Sequence, residues 1–256
     1  MKYLSIALVS CPLFAIGLIQ STTAAQPPNV IIFHIDDLGW QDVQIDDIDD
    51  LCPYETPNLV KLTEAGMMFT QAHSPAPTCS PSRAGNITGQ HPAKIKLTHV
   101  DLGNVPTGRA TERLVAPYLQ SYLDLDLLTL ADATKQNGYR TGRVGKWHVG
   151  LTASSFGFDF VNPTRGIHRG MGDRTKDFAT ADDKTYPLSK QKYPSLSPKK
   201  PNGISYPFDE LTQSAIDFID GSNEQAFFLN LCHWMVHWPV LTRNGELLEH
   251  YCDKFG

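Results

Sequence analysis

The sequence predicts an α/β fold, with a mainly parallel central sheet flanked by helices. Residues 29–35 form a near-continuous apolar run with β-branched members, the pattern of a strand buried on both faces. Residues 226–231 form another apolar strand, preceded by a helix whose apolar positions Leu211, Ala215, Ile216 and Ile219 recur at helical spacing. Strands alternating with helices in this way argue for βαβ units and a parallel sheet.

The elements follow in order. The first strand stops abruptly at Asp36-Asp37-Leu38-Gly39-Trp40. Thr56 can cap a helix, Pro57 suits its first turn, and Gly66 closes it. Residues 67–72 can return as a strand. Ser80-Pro81 repeats the signal of cap then proline, which places Cys79 just ahead of a short helix ending near Gly89. Residues 128–137 read as a helix stopped by Gly138, and 139–144 as the next strand. Residues 165–207 are dominated by Lys, Asp, Ser, Thr and Pro, and read as a long surface insertion near whatever site the strands create. No internal repeat is present.

At 256 residues the chain can bury one sizeable core, or a core plus a small appendage. A formal net charge of -5 gives no electrostatic case for nucleic acid as a partner. Residues 1–25 resemble a secretory signal: Lys2, an apolar run from Leu4 to Ile19, then small residues at 21–25. A secreted or periplasmic protein is expected, with no integral membrane segment once the signal is removed. Leu8-Val9-Ser10-Cys11 also looks like a lipobox, but the apolar segment after Cys11 makes a lipoprotein the weaker reading. Beyond the signal stand Cys52, Cys79, Cys232 and Cys252, an even set that could hold two disulfides; Cys232 reads as a buried strand thiol, and Cys52 and Cys252 could pair or stay free.

Three strands end in polar residues that chemistry can use. The first ends in Asp36-Asp37, the second runs into Gly145-Lys146-Trp147-His148, and the third is followed by His233 and His237. Ligands of open α/β sheets bind in the crevice beyond such carboxyl ends. Taken alone, Asp-Asp is more commonly a solvated turn with one aspartate capping a helix. At a strand end, adjacent carboxylates raise each other's pKa, and a hard divalent cation relieves that repulsion. Lys146 and His148 alternate, so an extended segment points a fixed cation and a titratable group the same way. His237 stands just before the break at Pro239, whereas His233 reads better as a packing histidine. Arg83 falls about one helical turn after Cys79 and can reach back to it.

Taken in chain order, these motifs resemble the type I sulfatases of the alkaline-phosphatase-like superfamily. Cys79-Ser80-Pro81-Ser82-Arg83, continued by Thr88-Gly89-Gln90, matches the signature C-x-P-S-R. Gly138-Tyr139-Arg140-Thr141 through Gly145-Lys146-Trp147-His148 matches the second signature, Asp36-Asp37 the paired metal-binding aspartates, and Val236-His237-Trp238-Pro239 a later His-x-Pro element. The likeness extends over residues 28–256.

The resemblance implies sulfate-ester hydrolysis, on carbohydrate or aryl sulfates. It implies that Cys79 is oxidised to formylglycine (3-oxoalanine), whose hydrated form attacks sulfur and later releases sulfate as the aldehyde re-forms. Asp36, Asp37 and modified Cys79 would bind Ca²⁺, with Mg²⁺ the second choice. Arg83 would stabilise the diol, Lys146 the developing charge, and His148 would take the proton that ejects sulfate. Lys146 and His237 would contact the sulfate, and His168 is a further candidate for reaching substrate. The implied partners are a sulfated glycan or small molecule and a formylglycine-generating or sulfatase-maturating enzyme. Trp147, Trp234 and Trp238 could stack on sugars or pack the core.

The family also carries a later strand ending in an Asp-Asn pair and a sulfate-binding lysine, and residues 247–255 match neither. The expectation is therefore the N-terminal portion of a sulfatase catalytic domain (residues 26–256), truncated at the C-terminus, with the activity of the polypeptide alone left open. A phosphonate or phosphodiester hydrolase of the same superfamily, and a non-catalytic remnant or sulfated-glycan binder, stand as alternatives.

Overall fold

A computed structural model of the protein describes residues 26–45, 52–100, 113, 120–166, 209–237 and 245–255. The signal-like segment, nearly all of the predicted insertion, His168 and Trp238 lie outside the described residues.

Among the described residues one sheet forms from β1 (Val30–Ile35), β2 (Arg140–Gly145), β3 (Phe160–Asn162) and β4 (Phe227–His233). Its order is β1-β4-β2-β3, and every neighbouring pair is parallel. The predicted α/β class with a parallel sheet is therefore the observed one. Parallel neighbours need crossovers, and the helices supply them. These are α1 (Pro57–Ala65), α2 (Cys79–Thr88), α3 (Leu130–Gln136) and α4 (Glu210–Asp220), with α5 (Gly245–Phe255) following β4.

Strand alternation distributes the core between two layers. Phe227 and Leu229 of β4 and Val144 of β2 join Leu211, Ala215 and Phe218 of α4. Phe228, between them, turns to the other face and packs with Ala131 of α3 and with Phe158. Each buried Val, Leu or Phe among them contributes roughly 1.5–3 kcal/mol on leaving water. Gly142 makes the α4 contact possible, because a Cβ there would lie 2.6 Å from the Phe218 ring. A third cluster, Ala84, Ile87, Leu97, Leu123, Val149 and Phe156, anchors α2.

Local chemistry sets the helix ends. Thr129 and Asp132 form a reciprocal capping box at α3, and Asp209 accepts from Leu211 N and Thr212 N at the start of α4. Gly89 ends α2 in the left-handed region at φ 64°.

Three expectations need correction. Residues 67–72 form no strand, and Met67 and Phe69 are 78% and 73% exposed. No described strand edge takes up this segment's backbone groups, and strand geometry without pairing gains nothing. Helix α2 starts at Cys79 itself rather than after it, with Thr78 extended at the cap position and Pro81 still within the first turn. Finally, β1 is not buried on both faces: Ile31 and Phe33 are 49% and 51% exposed. Val30 and Ile32 pack against the cluster containing Phe228, while no described element covers the opposite face.

Candidate active site

The three strand ends converge as the sequence suggests. Asp36 N donates to Met235 O at 3.2 Å, and Val236 N donates to Asp36 O at 2.8 Å, which joins the exits of β1 and β4. Lys146 N donates to Cys232 O at 2.9 Å, which ties the exit of β2 to β4.

Asp36 is the hub, only 2% exposed. Arg83 Nη2 donates to its Oδ1 at 2.7 Å, and the Lys146 ammonium donates to Oδ2. Arg83 also donates from Nη1 to the Lys146 carbonyl at 2.9 Å. Burial alone would raise the Asp36 pKa, but the Arg83 and Lys146 cations hold it below the usual carboxylate value. Arg83 thus points to Asp36 and the Lys146 backbone, where the sequence suggested a reach back to Cys79.

Cys79, the first residue of α2, places Sγ 3.2 Å from His148 Nδ1. His148 sits at φ 60°, an uncommon conformation for a residue other than glycine. Burial, then the Lys146 and Arg83 charges, lowers its pKa and favours the neutral imidazole. Lys146 and His148 therefore serve neighbouring parts of one site from one short turn. Asp37, also at positive φ (60°), turns outward and lies 3.8 Å from His237 Nε2.

Sequence reasoning missed two groups. His34 lies beside these charges, and burial, reinforced by Arg83, lowers its pKa to about 4. Arg143 is buried beneath the Lys146 turn. Both positions fall within runs read as strand, where a polar residue is the available signal. His233 behaves as expected of a packing histidine, bonded at Nε2 to Asp209 at 3.2 Å. A cavity of about 540 Å³ borders Cys79 and Asp37, with Phe33, His34, Ser74 and Asn86 among its walls. Lys146, His148 and His237 are not among them, so the bonded geometry defines the site better than the cavity does.

The carboxyl ends of one parallel sheet thus gather an aspartate pair, two buried cations and a cysteine–histidine contact. The sequence pattern of the sulfatase family matches residues 28–255, and the chain belongs to that family. Bovine (Bos taurus) arylsulfatase A is 33% identical over 162 residues, which are 61% of this chain and 27% of the relative. Mouse (Mus musculus) N-acetylgalactosamine-6-sulfatase is 28% identical over 252 residues, 95% of this chain and 46% of the relative. The chain thus spans less than half the length of these two relatives. The crystal structure of Ps i-CgsB in complex with k-i-k-neocarrahexaose superposes with a TM-score of 0.60 at 23% identity, over 89% of this chain and 49% of that one. PsFucS1 sulfatase from Pseudoalteromonas sp. superposes with a TM-score of 0.54 at 21% identity, over 89% of this chain and 50% of that one. These two likenesses establish the fold.

Members of this family use formylglycine and a divalent metal. Asp36 and Asp37 offer the hard oxygen donors that Ca²⁺ or Mg²⁺ takes. Among the described residues, however, no group of three or more His, Cys, Asp or Glu side chains is arranged to hold a metal ion. Asp36 already carries two cationic partners, and Ca²⁺ takes six to eight oxygens. The aspartates have the right chemistry and fall short in number.

Proposed function

We propose that the chain carries the nucleophile-bearing part of a sulfatase active site and serves hydrolysis of carbohydrate or aryl sulfate esters. The observation that carries this reading is the pairing of the residue 79 side chain with His148, beside a buried cationic cluster of Arg83 and Lys146. Formylglycine made from Cys79 supplies the nucleophilic oxygen of such an enzyme. Asp36 and Asp37 would supply part of the ligand set of a hard dication, Ca²⁺ ahead of Mg²⁺, which would polarise oxygen ligands if further donors completed its site.

The chain's own residues then have separable tasks. His148, kept neutral near pH 7, accepts a proton at the residue 79 side chain. Lys146 holds a cation where sulfate charge must be borne, and its burial strengthens that interaction. Arg83 fixes Asp36 and the Lys146 carbonyl so that neither has to reorganise during the reaction. His237, half-buried at the Asp37 mouth, contacts the sulfate and assists the leaving group. His168 is retained as a substrate contact from the insertion.

Sulfated glycans are favoured over small aryl sulfates as physiological substrates. One named relative is an N-acetylgalactosamine-6-sulfatase, and one structural neighbour is bound to a neocarrahexaose. The signal-like start supports export to a secreted or periplasmic site, with a formylglycine-generating or sulfatase-maturating enzyme as partner. No described helix is long and apolar enough to cross a membrane.

The test is co-expression with a maturating enzyme, mass spectrometry of the peptide spanning Cys79, and paired aryl sulfate and phosphodiester assays. Conversion of Cys79 with faster sulfate turnover is expected. Faster phosphodiester turnover would reassign the chemistry, and an unmodified thiol would leave a non-catalytic glycan binder.

A further inference from the structure

Arg143 is an anomaly in β2. It is only 2% exposed, and among the described residues it meets no carboxylate within ion-pair distance. Burial pulls its pKa down to about 10, the Cys232 sulfur beside it pulls the other way, and the Arg83 charge adds to the lowering. Its Nε has no hydrogen-bond partner. Burying a cation without a carboxylate is costly, and an apolar side chain on this strand would avoid the cost.

What Arg143 does hold is the turn that follows its own strand. Its Nη2 donates to the Lys146 carbonyl, the same oxygen that accepts from Arg83 Nη1 at 2.9 Å. Its guanidinium also lies 5.0 Å from the Trp147 ring centroid, in cation–π range. The turn needs such bracing. Gly145 is left-handed at φ 90°, where a Cβ would collide with the Cys232 carbonyl, and His148 is left-handed at φ 60°. Between them stand the two residues that Arg143 grips, and the turn presents the Lys146 ammonium to Asp36 and His148 Nδ1 to Cys79.

We propose that Arg143 is a positioning residue for the reaction at residue 79. It clamps the Lys146 carbonyl and the Trp147 ring, and thereby fixes Lys146 and His148 against Asp36 and Cys79. Among the described residues, Arg143 adds a third buried positive charge to those of Arg83 and Lys146, against the single buried carboxylate of Asp36. That excess suits an anionic substrate. This inference rests on the sulfatase reading for its kinetic consequence, and on geometry alone for its structural one.

The experiment uses Arg143→Met and Arg143→Lys in the expressed protein. In matured protein, Arg143→Met is expected to lower kcat for an aryl sulfate roughly 10–100-fold with little change in KM, because the reacting groups are misplaced rather than the substrate lost. Arg143→Lys, which keeps the charge and one donor, is expected to recover part of that loss. In unmatured protein, peptide-resolved alkylation of Cys79 by iodoacetamide at neutral pH is expected to slow about threefold or more in Arg143→Met, as His148 no longer meets the thiol. Alkylation needs no turnover. If Cys79 stays an unmodified thiol after co-expression with a maturating enzyme and alkylation still slows, the clamp stands and the sulfatase reading falls. Unchanged Cys79 alkylation in folded Arg143→Met overturns the clamp, as does a kcat loss that vanishes when activity is expressed per folded molecule. If Arg143→Met does not fold, the same two outcomes are read on Arg143→Lys.

Discussion

Arg83 and Asp36 form an ion pair closed to solvent: Nη2 lies 2.7 Å from Oδ1, and each side chain is 2% exposed. The pair is not isolated, since the Lys146 ammonium bonds the second carboxylate oxygen. Removing one partner of a buried pair strands the other charge, at a cost of roughly 3–5 kcal/mol. Asp36→Ala strands two cations, whereas Arg83→Met leaves Asp36 still neutralised by Lys146. Denaturant unfolding is therefore expected to show the larger loss for Asp36→Ala. Equal losses would mean that Lys146 does not share the carboxylate in solution.

The same charges set an acid limit on stability, best measured in metal-free protein with chelator. Asp36 has a folded pKa below the ordinary aspartate value of 3.8, so its contribution is present above that pH and lost as pH falls through the folded value. His34 acts at higher pH. Burial, aided by Arg83, lowers its folded pKa from 6.5 to about 4, so the unfolded chain binds the proton first. Stability should therefore decline from about pH 6.5 to pH 4 with a slope of at most ~1.4 kcal/mol per pH unit from this group. His34→Leu is expected to flatten that interval and leave the steeper loss below it. An unchanged slope in His34→Leu would assign the decline to another group.

His148 and His237 should separate kinetically, because His148 contacts residue 79 whereas His237 lies beside Asp37. His148→Gln is expected to lower kcat for an aryl sulfate by roughly 10²–10⁴-fold, the range of a lost proton acceptor. The acid limb of the parent pH–rate profile should lie below 6.5, since burial, Lys146 and Arg83 all lower the His148 pKa. His237, 3.8 Å from Asp37 at the mouth, should matter most for esters with poor leaving groups. A rate for His237→Gln that falls equally for activated aryl and sugar sulfates would remove that role.

How far the sequence could be read follows from what each signal depends on. Strand ends are local events, so Asp36, Lys146 and His237 could be assigned to one crevice from apolar runs and their terminators alone. The start of α2 lies one or two residues before the position the sequence predicts, because Ser80-Pro81 imitates a cap signal inside the first turn. The missing strand at 67–72 and the open face of β1 depend on which elements lie opposite, and periodicity does not encode partners. Arg143 and His34 escaped for the same reason: each is a polar residue in a strand, legible only once Arg83 and the Lys146 turn are seen beside it. The tryptophans divide as well. Trp147 packs with Phe156 and Phe158 at ring distances of 5.5 and 6.0 Å, which makes it core rather than a sugar platform.

Trp234 packs against the α4 cluster and also carries two cations near its ring, and this gives the last prediction. The Arg165 guanidinium lies 4.1 Å from its ring centroid, and the Lys146 ammonium lies 5.2 Å from the same ring. Arg165 is exposed, whereas Lys146 is buried at Asp36, so the indole spans from the reacting centre to the surface. A sulfated oligosaccharide extends beyond one ester and can meet Arg165 with a second anionic group; an aryl sulfate cannot. Arg165→Ala is expected to raise KM for a sulfated oligosaccharide by about 3–30-fold, equivalent to one partly exposed cation–π or ion contact. KM for 4-nitrophenyl sulfate should stay within about twofold, and kcat should hold for both. Parallel increases for the two substrates would place Arg165 in the structure of the site rather than in recognition of an extended chain.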